Sequence, residues 1–175
     1  MNTSIDRPAA GEYPDYGGYY IQQVPAEVDA LACMEANQTI LEDLVGSLDE
    51  SQLLYRYEPG KWTIKEMVVH MIDAERVFGY RAMAAARNDK SPLPGYDHNA
   101  YVPVSGANER SIESILGEYR AVRAASLALF RNLPAASLHQ VGEASNSPVT
   151  ARGLAYMIAG HERHHVRLIK ERYLG

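Results

Sequence analysis

The stretch from Asn88 to Arg110 carries Pro92, Pro94, Gly95, Pro103 and Gly106, and it interrupts a chain that otherwise reads as helix. Loops this long are uncommon inside compact domains unless they are functional or cross from one end of the fold to the other. A helix of ~20 residues is ~30 Å long, a distance such a loop can span. The helices on either side can therefore run parallel. The shorter connections suit antiparallel pairs, so the chain reads as two helical hairpins joined by an overhand crossover.

The helices themselves follow from periodicity and caps. Pro25 opens the first, which extends to about Val45 with Val28, Leu31, Ala32, Ile40, Leu41 and Leu44 at helical spacing. Thr63 and Glu66 fit a capping box for the second, whose stripe of Ile64, Met67, Met71, Ala74 and Phe78 extends to about Arg87. Ser111 caps a third, with Ile115, Leu116, Tyr119, Leu127 and Phe130, to about Asn132. Residues 133–149 read as a loop, and Thr150 opens a fourth helix that runs nearly to the end. No run alternates over a length that specifies a strand. The fold class is all-α, a four-helix bundle. Residues 1–24, rich in Pro, Gly and Tyr, read as an irregular arm, and residues 25–175 as a single bundle domain. The arm tyrosines call for a packing surface, either the arm's own domain or a second subunit.

A net charge of −5 leaves no excess of Lys and Arg for nucleic-acid binding driven by phosphate contacts. Arg163, Arg167, Lys170 and Arg172 cluster near the C-terminus, where cations offset a helix dipole. Cys33 is the single cysteine, so an intrachain disulfide is excluded, which suits a reducing compartment. No apolar run is long enough to cross a bilayer, and the polar N-terminus with Asp6 is unlike a secretory signal. These features lead to the expectation of a cytoplasmic protein without membrane or nucleic-acid partners.

Three of the six histidines fall within Gly160-His161-Glu162-Arg163-His164-His165. His161 and His165 are one turn apart on the same helix face. That face also carries Leu154, Met157, Ile158 and Leu168, with His164 near its edge and Glu162 turned away, which reads as surface. Paired imidazoles on a buried stripe are two parts of a three-histidine metal site. The third ligand comes from a facing helix, and His70, beside Met67, Met71 and Ala74, is the natural candidate. His98 and His139 lie in loops and are weaker ones.

Other metal readings fit less well. His161 to His165 spells H-E-x-x-H with Glu162 as a general base. Only ten residues follow, however, and Glu171 is the sole acidic one among them. A di-iron carboxylate bundle needs two E-x-x-H motifs, and Glu162 to His165 supplies one. Cys33 sits among apolar residues and reads as core. Asp73, Glu75, Arg76 and Arg81 follow His70. One could orient an imidazole or clamp an anionic substrate, and an intrahelical salt-bridge run explains them equally well. Tyr96, Asp97, His98 and Tyr101 in the long loop are candidates for a lid or pocket rim.

The string from Tyr57-Glu58-Pro59-Gly60-Lys61-Trp62-Thr63-Ile64-Lys65-Glu66 through His70, Asp73-Ala74-Glu75-Arg76-Val77-Phe78 and Arg81 resembles the DinB superfamily of small helical proteins. The resemblance continues through Leu93-Pro94-Gly95-Tyr96-Asp97, Glu118-Tyr119-Arg120 and the histidine cluster. It implies a DinB/YfiT-like bundle of up-down-down-up arrangement, often a homodimer. It also implies a divalent metal, nickel or zinc, held by one histidine of the second helix and a pair from the fourth, here His70, His161 and His165. Some relatives join a low-molecular-weight thiol to an electrophile, and others are called metal-dependent hydrolases. Three histidines leave a metal with open positions, as catalytic sites do. The expectation is an enzyme with thiol transferase-like or hydrolase-like chemistry on a small molecule. The alternatives are a stress-associated metal binder without turnover and a structural bundle whose histidines only hydrogen-bond.

Overall fold

The computed structural model describes residues 4–175; the first three residues of the expected arm lie outside the described residues. The helices are α1 (Gly17–Ile21), α2 (Ala30–Gly46), α3 (Glu50–Leu53), α4 (Ile64–Ala86), α5 (His98–Tyr101), α6 (Ile112–Asn132) and α7 (Ala151–Leu168), which ends in a π turn over Ile169–Tyr173. Strands β1 (Val141–Ala144) and β2 (Ser147–Thr150) precede α7. The long helices α2, α4, α6 and α7 form the bundle.

Three of the four bundle helices begin at the expected caps. Thr63 Oγ1 accepts from the Glu66 amide at 3.0 Å while the Glu66 carboxylate accepts from the Thr63 amide at 2.8 Å. Ser111 and Thr150 accept from the amides of Ser114 and Gly153. The first helix starts later than Pro25. Asp29 has extended backbone and its carboxylate accepts from the Leu31 amide at 2.9 Å, so α2 begins at Ala30. An Asp with a free amide to bond at N2 outcompetes a proline that merely tolerates a first turn.

The segment expected to be loop contains a hairpin. β1 and β2 pair antiparallel, with Val141 opposite Thr150 and Ala144 opposite Ser147. Ser145 and Asn146 form the turn at φ of 53° and 59°, the left-handed pair that suits a two-residue hairpin. The hairpin also anchors the long crossover, because the Leu93 amide donates to Glu143 O and Leu93 O accepts from the Ser145 amide.

Contacts give the helix directions. Thr63 and Lys65 at the start of α4 bond Asn108 and Arg110 O just ahead of α6, and Gly79 lies beside Ser126 farther along, so α4 and α6 run parallel. The Tyr173 hydroxyl donates to Trp62 O at 2.7 Å and Phe78 faces His161, so α7 runs against α4. Glu35 pairs with Arg131 and Glu42 with Arg120, so α2 runs against α6. The order is up-down-down-up, as the resemblance implies. The expected hairpins have the right directions but not the right neighbours. The extensive contacts are α4 with α6 and α7, and α2 with α6 and α7, which sets α2 diagonal to α4 and α6 diagonal to α7.

The buried interior is layered. One apolar cluster gathers Met34, Phe78, Phe130, Leu154 and Met157. A second, at the other end, gathers Leu41, Ile64, Ile72, Ile115 and Ile169. Between them lies a buried polar belt containing Asn37, His70, Glu75, Arg123, His161, Glu162 and His165.

The arm lies on α7. Ile5 is buried, and Arg7 donates to the carbonyls of Ile21, Val24 and Pro25. Glu12 O accepts from the Thr150 amide at 2.9 Å, and the Glu12 carboxylate pairs with Arg152. The part expected to be irregular thus contains α1, which packs along α7. Glycines of α7 make the close approach feasible: a Cβ at Gly153 would meet Glu12 O at 2.6 Å, and one at Gly160 would overlap Tyr20 O.

Candidate metal centre

His70 projects from α4 toward α7, where His161 and His165 occupy successive turns, and the three are buried. Each offers one nitrogen, and the three nitrogens lie within 4.8 Å of one another. His161 Nε2 is 3.1 Å from His70 Nε2 and 3.1 Å from His165 Nε2. The rings meet at steep angles, from 68° to 79°, so the nitrogens and not the ring faces converge.

Burial pulls the His70 pKa down to about 4, helped by nearby His98. Burial likewise holds His161 and His165 well below the ordinary imidazole range. The three rings are therefore neutral near pH 7, the form that presents a lone pair. His161 Nε2 carries either one hydrogen or one lone pair and cannot satisfy both neighbours. A cation among the three nitrogens would satisfy all of them. Nitrogens ~2.1 Å from a common divalent ion lie ~2.9–3.4 Å apart in octahedral to tetrahedral geometry, a range that contains both 3.1 Å separations from His161 Nε2. The donor set thus fits a divalent metal. His165 Nδ1 is buried without a hydrogen-bond partner among the described residues, so ring packing against His161 and His164 sets its orientation.

A cavity of about 540 Å³ opens above His70 and His161, lined also by Tyr20, Phe78, Arg81 and Tyr96. That volume suits a small molecule. Tyr16 and Tyr20 come from the arm, and Tyr20 packs edge-on to His161 at 5.0 Å between centroids. Burial raises the Tyr20 pKa and pushes that of Tyr96 up to about 12, so both phenols keep their protons. Trp62, just ahead of the α4 cap, packs at a 45° tilt against the His70 ring, with 4.8 Å between centroids.

The other expected residues fall as follows. His98 rims the cavity, 5.4 Å from the His70 ring, whereas His139 is exposed and outside the cluster. Tyr96 lines the cavity, and Asp97 caps α5 through the amides of Asn99 and Ala100. His164 accepts or donates at Nδ1 with the Tyr19 hydroxyl at 3.0 Å. Cys33 is buried in the core, and burial raises its thiol pKa. Asp73 pairs with Arg76, which also reaches Glu118, so part of the charged run on α4 is the salt-bridge ladder.

Glu162 reverses its expected place. It is not at the surface but 2% exposed. Its carboxylate accepts from Arg123 Nη2 at 2.6 Å and from the Tyr119 hydroxyl. Glu75 takes the other side of Arg123 at 2.8 Å. Neither carboxylate faces the cavity, which removes Glu162 as a general base of an H-E-x-x-H site. The arm tyrosines at the cavity wall were missed because an irregular segment carries no periodicity. The glycines of α7 at positions 153 and 160 were the available signal.

The profile of the DinB superfamily matches residues 34–169. A protein of Oceanobacillus iheyensis named as a putative metal-dependent hydrolase is 27% identical over 159 residues, which cover 85% of this chain and 89% of that protein. The solved structure of YfiT from Bacillus subtilis, described as a probable metal-dependent hydrolase with an unusual four-helix bundle topology, superposes with a TM-score of 0.71. That likeness covers 95% of this chain and 91% of YfiT at 19% identity, and it is one of fold. No helix among the described residues is long and apolar enough to cross a membrane. With its profile match spanning the bundle, this chain belongs to the DinB superfamily.

Proposed function

We propose that the protein is a metal-dependent enzyme acting on a small molecule, with His70, His161 and His165 holding a divalent ion, nickel or zinc. The observation that carries this reading is the convergence of three neutral, buried imidazole nitrogens, two of them on His70 and His161 at the wall of an open cavity. The bound ion would supply a Lewis acid, able to activate water for hydrolysis or a low-molecular-weight thiol for S-transfer. The chain's own residues complete the setting. Phe78, Tyr20 and Tyr96 wall the cavity and limit water around the reacting group. The two phenols, held protonated, can donate hydrogen bonds to a substrate oxygen. Hydrolase-like chemistry draws support from the name of the Oceanobacillus relative. Thiol-transferase chemistry draws support from the sequence resemblance alone. Cytoplasmic residence and pairing into a homodimer belong to the same proposal, and light scattering on the purified protein tests the second.

Metal analysis of the purified protein tests the site. One equivalent of nickel or zinc is expected, falling below a tenth of an equivalent in a His161→Ala/His165→Ala double variant. Trp62, the single tryptophan, should report loading through its emission. Undiminished uptake by the double variant would overturn the assignment. A screen of esters, amides and thiol–electrophile pairs with and without chelator then separates hydrolase, transferase and non-catalytic metal binder.

A further inference from the structure

Arg81 projects from α4 into the same cavity as His70 and His161 and is 4% exposed. A buried guanidinium is costly unless an anion or a full set of acceptors meets it. Here neither does. Among the described residues no carboxylate forms an ion pair with Arg81, and Asp73 on the same helix is engaged by Arg76. Both hydrogen bonds of Arg81 leave from Nη2, to Pro94 O at 2.8 Å and Ser145 Oγ at 2.9 Å. They fix the fork by tying it to the crossover loop and to the hairpin turn. The Nε and Nη1 donors are left without a protein acceptor among the described residues. The Tyr96 ring lies 5.8 Å from the guanidinium carbon, which contributes a cation–π contact but accepts no N–H bond in the plane of the fork.

The contrast with the other buried arginine is informative. Arg123 is met by the carboxylates of Glu75 and Glu162 and by Met34 O. This fold neutralises a buried guanidinium where the interior is closed and leaves one unneutralised where the interior opens into a cavity. The geometry adds a length. Arg81 is three turns beyond His70 on the same face of α4, about 16 Å along the axis between the two backbones. Inward-reaching side chains from both positions shorten that gap to a span one small molecule can cover.

From this we infer that Arg81 is the anion subsite of the cavity: the ligand carries a carboxylate, or a group of the same charge and shape, which docks on Nε and Nη1 while its other end reaches the histidines. The planar fork favours a carboxylate, which accepts two parallel N–H bonds. Aromatic walls from Tyr20, Phe78 and Tyr96 suit an apolar or aromatic middle section. The identity of the reacting end rests on the function proposed above, whereas the anion subsite does not need it.

Calorimetric titration with benzoate, and with benzamide as its uncharged counterpart, tests the subsite. The full-length protein is used as purified and, in parallel, after chelator treatment. Benzoate should bind about tenfold or more tightly than benzamide to both preparations, the range expected of charge-assisted hydrogen bonds. The preference should disappear in Arg81→Gln and be partly kept in Arg81→Lys. Because Arg81 also braces two loops, an unfolded Gln variant would leave the question to the Nε resonance of Arg81, which must shift on adding benzoate to the native protein. Equal binding of the two probes, an unmoved resonance, or a preference that depends on the metal but not on residue 81 would each overturn the inference. Loss of the metal-site reading alone would show as absent metal with the benzoate preference intact.

Discussion

Arg123 of α6 and Glu162 of α7 meet at 2.6 Å across the diagonal of the bundle, each almost wholly buried. Arg123 also reaches Glu75 on α4 and Met34 O on α2, so one guanidinium touches all four long helices. Glu162 is the sequence neighbour of His161. The contact that satisfies Glu162 on one side of α7 therefore fixes the rotation that turns His161 and His165 toward His70. Setting helix register is a role attested for buried polar groups in some helical cores, and this contact has the geometry for it.

Replacement of Arg123 by Met should destabilise the fold by ~3–5 kcal/mol, because it leaves two carboxylates buried without a counter-charge. Urea denaturation measures this. Adding Glu75→Gln and Glu162→Gln to the same chain should recover part of the loss by removing the stranded charges. If Arg123→Met alone is neutral, the belt does not organise the bundle.

Stability of the metal-free protein should fall as pH drops from about 6.5 toward 4. His70, His161 and His165 have folded-state values below the ordinary imidazole pKa, so the unfolded chain takes up protons that the folded chain refuses. Each such group tilts the balance by up to ~1.4 kcal/mol per pH unit between its two pKa values. Urea midpoints at pH 7, 6 and 5 check the slope. The His161→Ala/His165→Ala variant should show a shallower decline, and identical slopes would argue against neutral buried rings.

Gly160→Ala should lift the arm. Its Cβ would overlap the Tyr20 carbonyl, so α1 must move away from α7. Overpacking of this kind costs ~1–3 kcal/mol. Chymotrypsin should cut at Tyr16, Tyr19 or Tyr20 faster than in the native protein. Gly46→Ala, where nothing lies within 4 Å of the added carbon, serves as the control and should leave the digestion unchanged.

Thr63→Ala should cost ~1–2 kcal/mol through loss of the cap at the start of α4. The hydroxyl serves two partners, accepting from the Glu66 amide and donating to Asn108 Oδ1 at 2.7 Å. Thr63→Ser should keep most of the stability. Thermal denaturation of the two variants side by side separates the hydroxyl from the methyl group.

The helix starts and the histidine trio were legible because they depend on local chemistry. A cap is a side chain bonding an amide two or three residues away, and His161 and His165 share a face by helical arithmetic alone. Glu162 was not legible for an equally specific reason. A helical wheel assumes one buried side and one wet side. α7 has a diagonal partner inside and the arm outside, so nearly every position from Ala151 to Glu162 is buried. The hairpin escaped because its strands are four residues each, β2 contains Pro148, and its turn is Ser145-Asn146 instead of an Asn-Gly pair. Adjacency was misread because loop length sets which directions are feasible, while side-chain fit decides which helices touch.

That placement has a consequence for folding. α2 and α4, consecutive long rods along the chain, sit across a diagonal and have no extensive interface with each other. Their apolar faces are buried chiefly against α6 and α7, so the two do not bury each other. Closure requires pairings distant along the chain, which slows folding relative to an ordinary up-and-down bundle. The three imidazoles come together only when α7 packs against α4, because His161 and His165 lie on the one and His70 on the other.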